Sequence, residues 1–174
     1  EWSNPNTLGS YNPWSRLLIG FFHSVQTRTA GFNSVDIGQM YDETWLGMDI
    51  LMFIGGGPAG TAGGIKITTF AVLFFILLAE LRGDAAVNIF GKRLSRAVHR
   101  QAITVVLIAL AGVTAGTTAV MFTTGHGLDK SLFEAVSAFA TVGLSTGITY
   151  DLPESAEIVL VLLMFLGRLG PLTI

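Results

Sequence analysis

The sequence contains no cysteine, and only 13% of its 174 residues are charged. The lack of cysteine excludes disulfides, thiolate-ligated zinc and thiol catalysis, and leaves the redox compartment open. Charge at about half the usual share, with a net charge of −2, provides no basic footprint for nucleic acid. Intrinsic disorder is excluded as well, because it requires low hydrophobicity and high charge. Apolar residues make up 51% of the chain, mean hydropathy is +0.60 and there are 21 glycines. That mixture predicts a polytopic membrane protein, since glycine is commoner in membrane helices than in soluble ones.

A bilayer core of about 30 Å needs about 20 mostly apolar residues as helix. Gln101 to Thr124 carries no charge over 24 residues. Its small residues, among them Ala109, Gly112 and Gly116, suit close approach by another helix. A second crossing runs from near Trp45 to about Leu81, split by the glycine-rich run Gly55 to Gly64, which no straight helix tolerates well. A third apolar stretch, Ile158 to Ile174, has Arg168 inside it. Basic residues (Arg82, Lys92, Arg93, Arg96, Arg100) gather between the crossings, with acids in the flanking segments, which places 82–100 in the cytoplasm. With no initiating Met and an opening that reads as a loop, the sequence is expected to be a piece of a longer protein.

The chain repeats itself at an offset of 112 residues: Phe21 meets Phe133, Thr29 meets Thr141, Gly31 meets Gly143, and Leu51–Gly55 meets Leu163–Gly167. Each unit holds a short apolar segment, a Thr-x-Gly turn, an acidic outer loop and a membrane helix ending at glycine. Two crossings separate the units, so both face the same way. The segments 14–30 and 130–142 are too short to span and are predicted to be re-entrant. Irregular backbone at membrane depth is tolerated where it is buried or lines a water-filled path. Glycine lets backbone carbonyls approach an axis, and a ring of carbonyls can replace the water shell of a potassium ion.

The motifs FFHSVQTRTAGFNSVD, IGGGPAGTAGGIKITTF and GRLGPLT resemble the Trk/Ktr family of potassium-translocating membrane subunits over roughly residues 14–174. The resemblance implies an all-α integral membrane fold of helix–pore-loop–helix repeats in a potassium-channel-like, pseudo-fourfold arrangement. This chain would supply the last two of four repeats. Residues 1–81 would hold the pore loop and broken second helix of the third repeat, 82–100 a cytoplasmic basic loop, and 101–174 a truncated fourth repeat. The expected potassium filter is Thr29, Ala30, Gly31, Phe32 and Asn33 with Thr141, Val142, Gly143, Leu144 and Ser145. The expected gate is the intramembrane loop carrying Gly55, Gly56, Gly57, Gly60, Gly63 and Gly64, with Lys66 and Arg168. The implied function is potassium uptake across the cell membrane by a multi-pass, non-enzymatic protein with no cofactor of its own, potassium being the substrate. Expected partners are the missing N-terminal repeats of the parent chain, a second copy as a homodimer, membrane lipid and a cytosolic nucleotide-binding regulatory ring, with no nucleic acid.

Several residues keep two readings. Lys66 is either a second gate charge or a lysine that snorkels to the cytoplasmic surface. Arg168 is either a pore-facing charge that raises the barrier to a cation or a partner of a buried acid. Arg28, next to the first turn, is expected behind the filter, paired with carbonyls or with a carboxylate, Glu134 or Asp36. The basic segment 91–100 serves either lipid headgroups or the cytosolic partner. His23 reads as a satisfied buried residue. Rival functions are another pore-loop cation transporter, a structural scaffold and a dinucleotide-dependent oxidoreductase. The last rests on Gly55-x-Gly57-x-x-Gly60, with Glu80 where a ribose-binding acid would sit. That fingerprint needs a strand before it and an amphipathic helix after it, whereas residues 67–79 are apolar on nearly all faces.

Overall fold

The computed structural model describes residues 1–57, 62–83, 87–89 and 92–169, without the side chains of Ile89 and Lys92. Gly60 of the expected gate, Gly91 of the basic segment and the Gly170–Thr173 part of the third motif lie outside the described residues. The described helices are α1 (Pro13–Gln26), α2 (Asp42–Phe53), α3 (Ile67–Arg82), α4 (Arg96–Thr124), α5 (Leu128–Phe139) and α6 (Glu154–Leu169). Strand pairing among the described residues is limited to β1 (Asn88–Ile89) against antiparallel β2 (Lys92–Arg93) and one parallel bridge, Ile54 to Ile65. The fold is helical, as expected.

Local chemistry sets the helix ends. Pro13 opens α1, and the Asn12 side chain accepts from the Ser15 N–H at 2.8 Å, satisfying one of the orphan donors of the first turn. Asp42 and Glu43 begin α2, and Glu154 and Glu157 lie in the first turn of α6, where carboxylates favour the positive helix end. Gly83 and Gly125, both at φ 71°, stop α3 and α4 in the left-handed conformation that glycine adopts without penalty. The α4 helix starts at Arg96, inside the basic segment, with the Ser95 hydroxyl accepting from the Val98 N–H. Its 29 residues reach about 43 Å, enough to cross a bilayer, and among the described residues it is the one helix long and apolar enough to do so. By the same rise, α5 with 12 residues reaches about 18 Å and α1 with 14 about 21 Å, so both fall short.

The core is organised around α5, which packs against α2, α4 and α6 and is buried from Phe133 to Phe139. Trp45 and Phe53 of α2 lie against Phe133 and Phe139, with ring centroids 6.4 and 6.2 Å apart. The small residues expected to admit a neighbour do so at the α4–α6 seam. A Cβ on Gly112 would lie 2.8 Å from Leu166 Cδ2, and one on Gly116 would overlap the Leu163 side chain. Gly167 of α6 sits on the Phe139 carbonyl with no space for a methyl group.

The α1 helix has no such enclosure among the described residues: it packs on the Leu8–Ser10 turn and buries only His23 and Gln26. Phe21 is 70% exposed, whereas Phe133, at the matching repeat position, is fully buried. Large apolar side chains also face outward on α3 (Phe74, Leu77, Leu81), α4 (Leu107, Phe122) and α6 (Leu162, Phe165). Apolar surface of that extent is characteristic of a chain that meets lipid or further protein.

Candidate functional site

The two Thr-x-Gly turns adopt the same unusual backbone. Thr29 has φ 67° and Gly31 φ 71°; Thr141 has φ 52° and Gly143 φ 90°. Among the described residues, Thr29 and Thr141 are the non-glycine positions with positive φ. A β-branched residue in that region is a steric outlier, costing about 1–3 kcal/mol. Such strain persists only where surrounding structure imposes it, and here it recurs at one offset in both units. Each turn closes the C-terminus of its short helix. The Ala30 and Gly31 N–H groups donate to the Gln26 carbonyl, and the Val142 N–H donates to the Ser137 carbonyl at 2.9 Å. The sequence pointed to these threonines and glycines as turn residues, but the left-handed backbone of Thr29 and Thr141 is not legible in it.

The turns also touch one another. A Cβ on Gly31 would fall on the Val142 carbonyl oxygen, so only glycine fits there. At Gly143 a Cβ would meet nothing, and glycine answers to φ alone. Of the remaining turn residues, Ala30, Phe32 and Asn33 are exposed, whereas Val142 and Leu144 are buried. The Leu144 carbonyl accepts from the Ser137 hydroxyl at 2.6 Å, so it is held by the protein behind the turn.

The glycine-rich loop lies directly against these turns. Its two arms pair as the chain returns: the Gly55 N–H donates to the Ile65 carbonyl at 2.8 Å, and the Ile65 N–H to the Phe53 carbonyl at 3.2 Å. Gly55 passes so close to the Gly63 carbonyl that a side chain is excluded, and Gly64 takes φ 73°. The Gly63 N–H donates to Thr141 Oγ1 at 3.1 Å, and a Cβ on Gly63 would lie 2.9 Å from the Ala140 backbone. Arg28 Nη1 reaches the Gly55 carbonyl at 3.5 Å. Of the partners considered for Arg28, a carbonyl is therefore the one observed. Asp36 caps the 3-10 turn Ile37–Gln39 through the Gly38 N–H, and Glu134 is occupied elsewhere.

Lys66 is buried, and its Nζ donates to the Ala62 carbonyl of the loop at 2.6 Å. Arg168, in the last turn of α6, lies near enough to Lys66 for their charges to repel. The structure thus brings Thr29, Gly31, Thr141, Gly143, Gly55, Gly63, Gly64 and Lys66 into one region. His23 is satisfied, with Nε2 3.1 Å from Ser34 Oγ and Nδ1 3.4 Å from the Gln26 amide. The segment before Gly55 is helix α2, so the strand that a dinucleotide fingerprint requires is absent at that place. Among the described residues, no group of three or more acidic or histidine side chains is arranged to hold a metal ion.

Asp49 is a residue the sequence reading passed over. It is buried in α2 beside an apolar groove of about 530 Å³, and its Oδ1 has no hydrogen-bond partner among the described residues. The signal was present, as the one acid within LGMDILMFI. A second cavity, of about 470 Å³, flanks the Thr141–Gly143 turn and is lined by Glu134, Thr141, Gly143, Ser145, Thr149 and Met164.

Residues 4–174 match the family TrkH, described as cation transport protein. The Ktr system potassium uptake protein B of Vibrio alginolyticus is 40% identical over the whole chain, which spans 38% of that relative's length. The Ktr system potassium uptake protein B of Bacillus subtilis is also 40% identical, over 99% of the chain and 39% of its own length. The potassium/sodium uptake protein NtpJ of Enterococcus hirae is 35% identical over 91% of the chain and 36% of its own length. The chain therefore spans about two fifths of the curated relatives it matches.

Proposed function

This chain belongs to the TrkH family of cation transport proteins, a family of membrane transporters and not of enzymes, and on that premise we propose that it is part of a potassium uptake pore. In this reading the chain supplies two of four pore-loop repeats, with α1 and α5 as the re-entrant helices. Thr29–Asn33 and Thr141–Ser145 form two filter segments whose backbone carbonyls, apart from that of Leu144 held by Ser137, replace water around potassium. The observation that carries the reading is the pair of matching strained turns in contact, with left-handed threonine and glycine at the same two positions of each. Negative helix ends of α1 and α5 at the turns would add attraction for a cation. The Ktr names of the relatives support potassium as the substrate, and the membrane potential would drive it inward.

The loop 55–64, with Lys66 and Arg168, is the proposed gate. Its support is position: one arm meets Arg28 beside the first turn and the other meets Thr141 in the second. Two basic residues at its base would oppose a cation, and movement of the loop would shift that charge. The exposed face of α1, with Trp14, Leu18 and Phe21, fits the missing N-terminal repeats. The parent is proposed to be a multi-pass plasma membrane protein that forms a homodimer on a cytosolic nucleotide-binding ring. Residues 92–100 would face anionic lipid or that ring.

The test is potassium and sodium flux into liposomes containing the full parent protein, comparing the wild type with Gly143→Ser. A preference for potassium that the serine weakens is the expected result. Equal fluxes that the serine leaves unchanged would make Gly143 an ordinary turn residue and would overturn the reading.

A further inference from the structure

Glu134 is buried in the middle of α5, and its carboxylate faces the last filter residue, Ser145, and the loop beyond it. Its Oε1 accepts from Ser145 Oγ at 2.7 Å, the Thr146 N–H at 2.9 Å and Thr146 Oγ1 at 3.1 Å. Its Oε2 accepts from Thr149 Oγ1 at 2.9 Å. All the donors belong to the segment that leaves the Thr141–Gly143 turn. Ser145 Oγ and Thr149 Oγ1 also lie 2.7 Å apart, so the two hydroxyls share their protons between each other and the carboxylate, and the Thr146 N–H and hydroxyl complete the network. Nothing meets the Cβ position of Gly143, and the cavity of about 470 Å³ lies beside it. On the α5 side, the side chains that bond this segment are Glu134 and Ser137.

The other repeat does the same with different chemistry. Phe22 stands at the position that matches Glu134, and the next residue, His23, is buried with Nε2 3.1 Å from Ser34 Oγ. Ser34 matches Thr146 at the offset of 112, three residues beyond the turn glycine in each unit. In both units a buried polar side chain of the short helix holds the same loop position.

We propose that Glu134 is a positioning residue for ion selection: it clamps Ser145–Thr149 and so fixes the spacing of the Thr141–Gly143 carbonyls. The proposal rests on the filter reading above. Potassium and sodium differ in size by a fraction of an ångström, so a slackened segment loses discrimination before it loses passage. A structural role alone would change the amount of folded protein and scale both fluxes together.

The experiment measures potassium and sodium fluxes separately in liposomes containing the parent protein, for wild type, Gly143→Ser, Glu134→Leu, Glu134→Gln and Thr146→Val. Glu134→Leu removes every acceptor and is expected to lower the potassium-to-sodium ratio about tenfold, the scale of losing about one net hydrogen bond. Glu134→Gln keeps one carbonyl acceptor and falls between the leucine variant and wild type. Thr146→Val removes the Thr146 hydroxyl from the network and gives a smaller drop. Both fluxes falling in the same proportion for Glu134→Leu, with the ratio unchanged, would overturn the proposal. If the leucine variant does not insert, unchanged ratios in Glu134→Gln and Thr146→Val overturn it equally. A ratio lowered by Gly143→Ser but untouched at Glu134 and Thr146 removes this inference alone. Wild-type protein without potassium preference removes the filter reading and this inference with it.

Discussion

Alanine at Gly31 and alanine at Gly143 separate two physical reasons for glycine in the same motif. Both residues have positive φ, 71° and 90°, so an L-alanine at either costs about 1–2 kcal/mol in backbone conformation. At Gly143 that is the whole cost, because the added methyl meets no atom. At Gly31 the methyl overlaps the carbonyl oxygen of Val142, a backbone atom of the other turn. The overlap is relieved only by moving one turn away from the other, which adds about 1–3 kcal/mol of overpacking. Gly31→Ala is therefore expected to cost about 2–5 kcal/mol in total. The assay is the potassium-to-sodium flux ratio of the parent protein in liposomes, with its thermal midpoint in detergent. Gly143→Ala should lower potassium flux with a small change in midpoint. Gly31→Ala should lower both the ratio and the midpoint further, because it displaces the second turn as well. The double variant should be less than additive, since the two sites share one contact. A Gly31→Ala protein with wild-type ratio and midpoint would refute the reasoning, for the two turns would then not touch in the working transporter.

Two further outcomes follow from the packing and the charges. Gly167→Ala would drive a methyl group into the Phe139 backbone at the α5–α6 seam. It should destabilise by about 1–3 kcal/mol, seen as a lowered thermal midpoint, and an unchanged midpoint would mean that the helices are not in contact there. Glu1 lies outside the spanning segments and ties residues 1–7 to the start of α2, through the Tyr41 N–H at 2.6 Å and Thr44 Oγ1 at 2.9 Å. Burial raises its pKa, but hydrogen bonds from Thr7, Tyr41 and Thr44 outweigh burial and hold it below the ordinary value of 4.5. A depressed folded pKa gives stability that is present above the unfolded pKa and lost as pH falls through the folded one. The difference in thermal midpoint between wild type and Glu1→Gln should therefore be present at neutral pH and shrink below about pH 4.5, whereas a difference that grows on acidification would contradict the sign.

The sequence by itself determined the segments and their order. An uncharged run of 24 residues can only be a long helix that avoids water, and the glycine run can only break one. The offset of 112 carried through to the coordinates, since α2 and α6 begin at Asp42 and Glu154, one repeat apart. Tertiary structure decided which of those residues meet. That Gly31 abuts Val142 and that Gly63 donates to Thr141 are contacts between distant parts of the chain. No spacing rule encodes them. Glu134 and Asp36 were equally plausible partners for Arg28, and packing gave Arg28 the Gly55 carbonyl instead, while the Glu134 carboxylate is engaged by Ser145, Thr146 and Thr149 of the following loop. The left-handed threonines are the clearest case. Threonine opposes that conformation locally, so only the closure of each short helix against its neighbours can hold it there, and the neighbours are known only once the chain has folded.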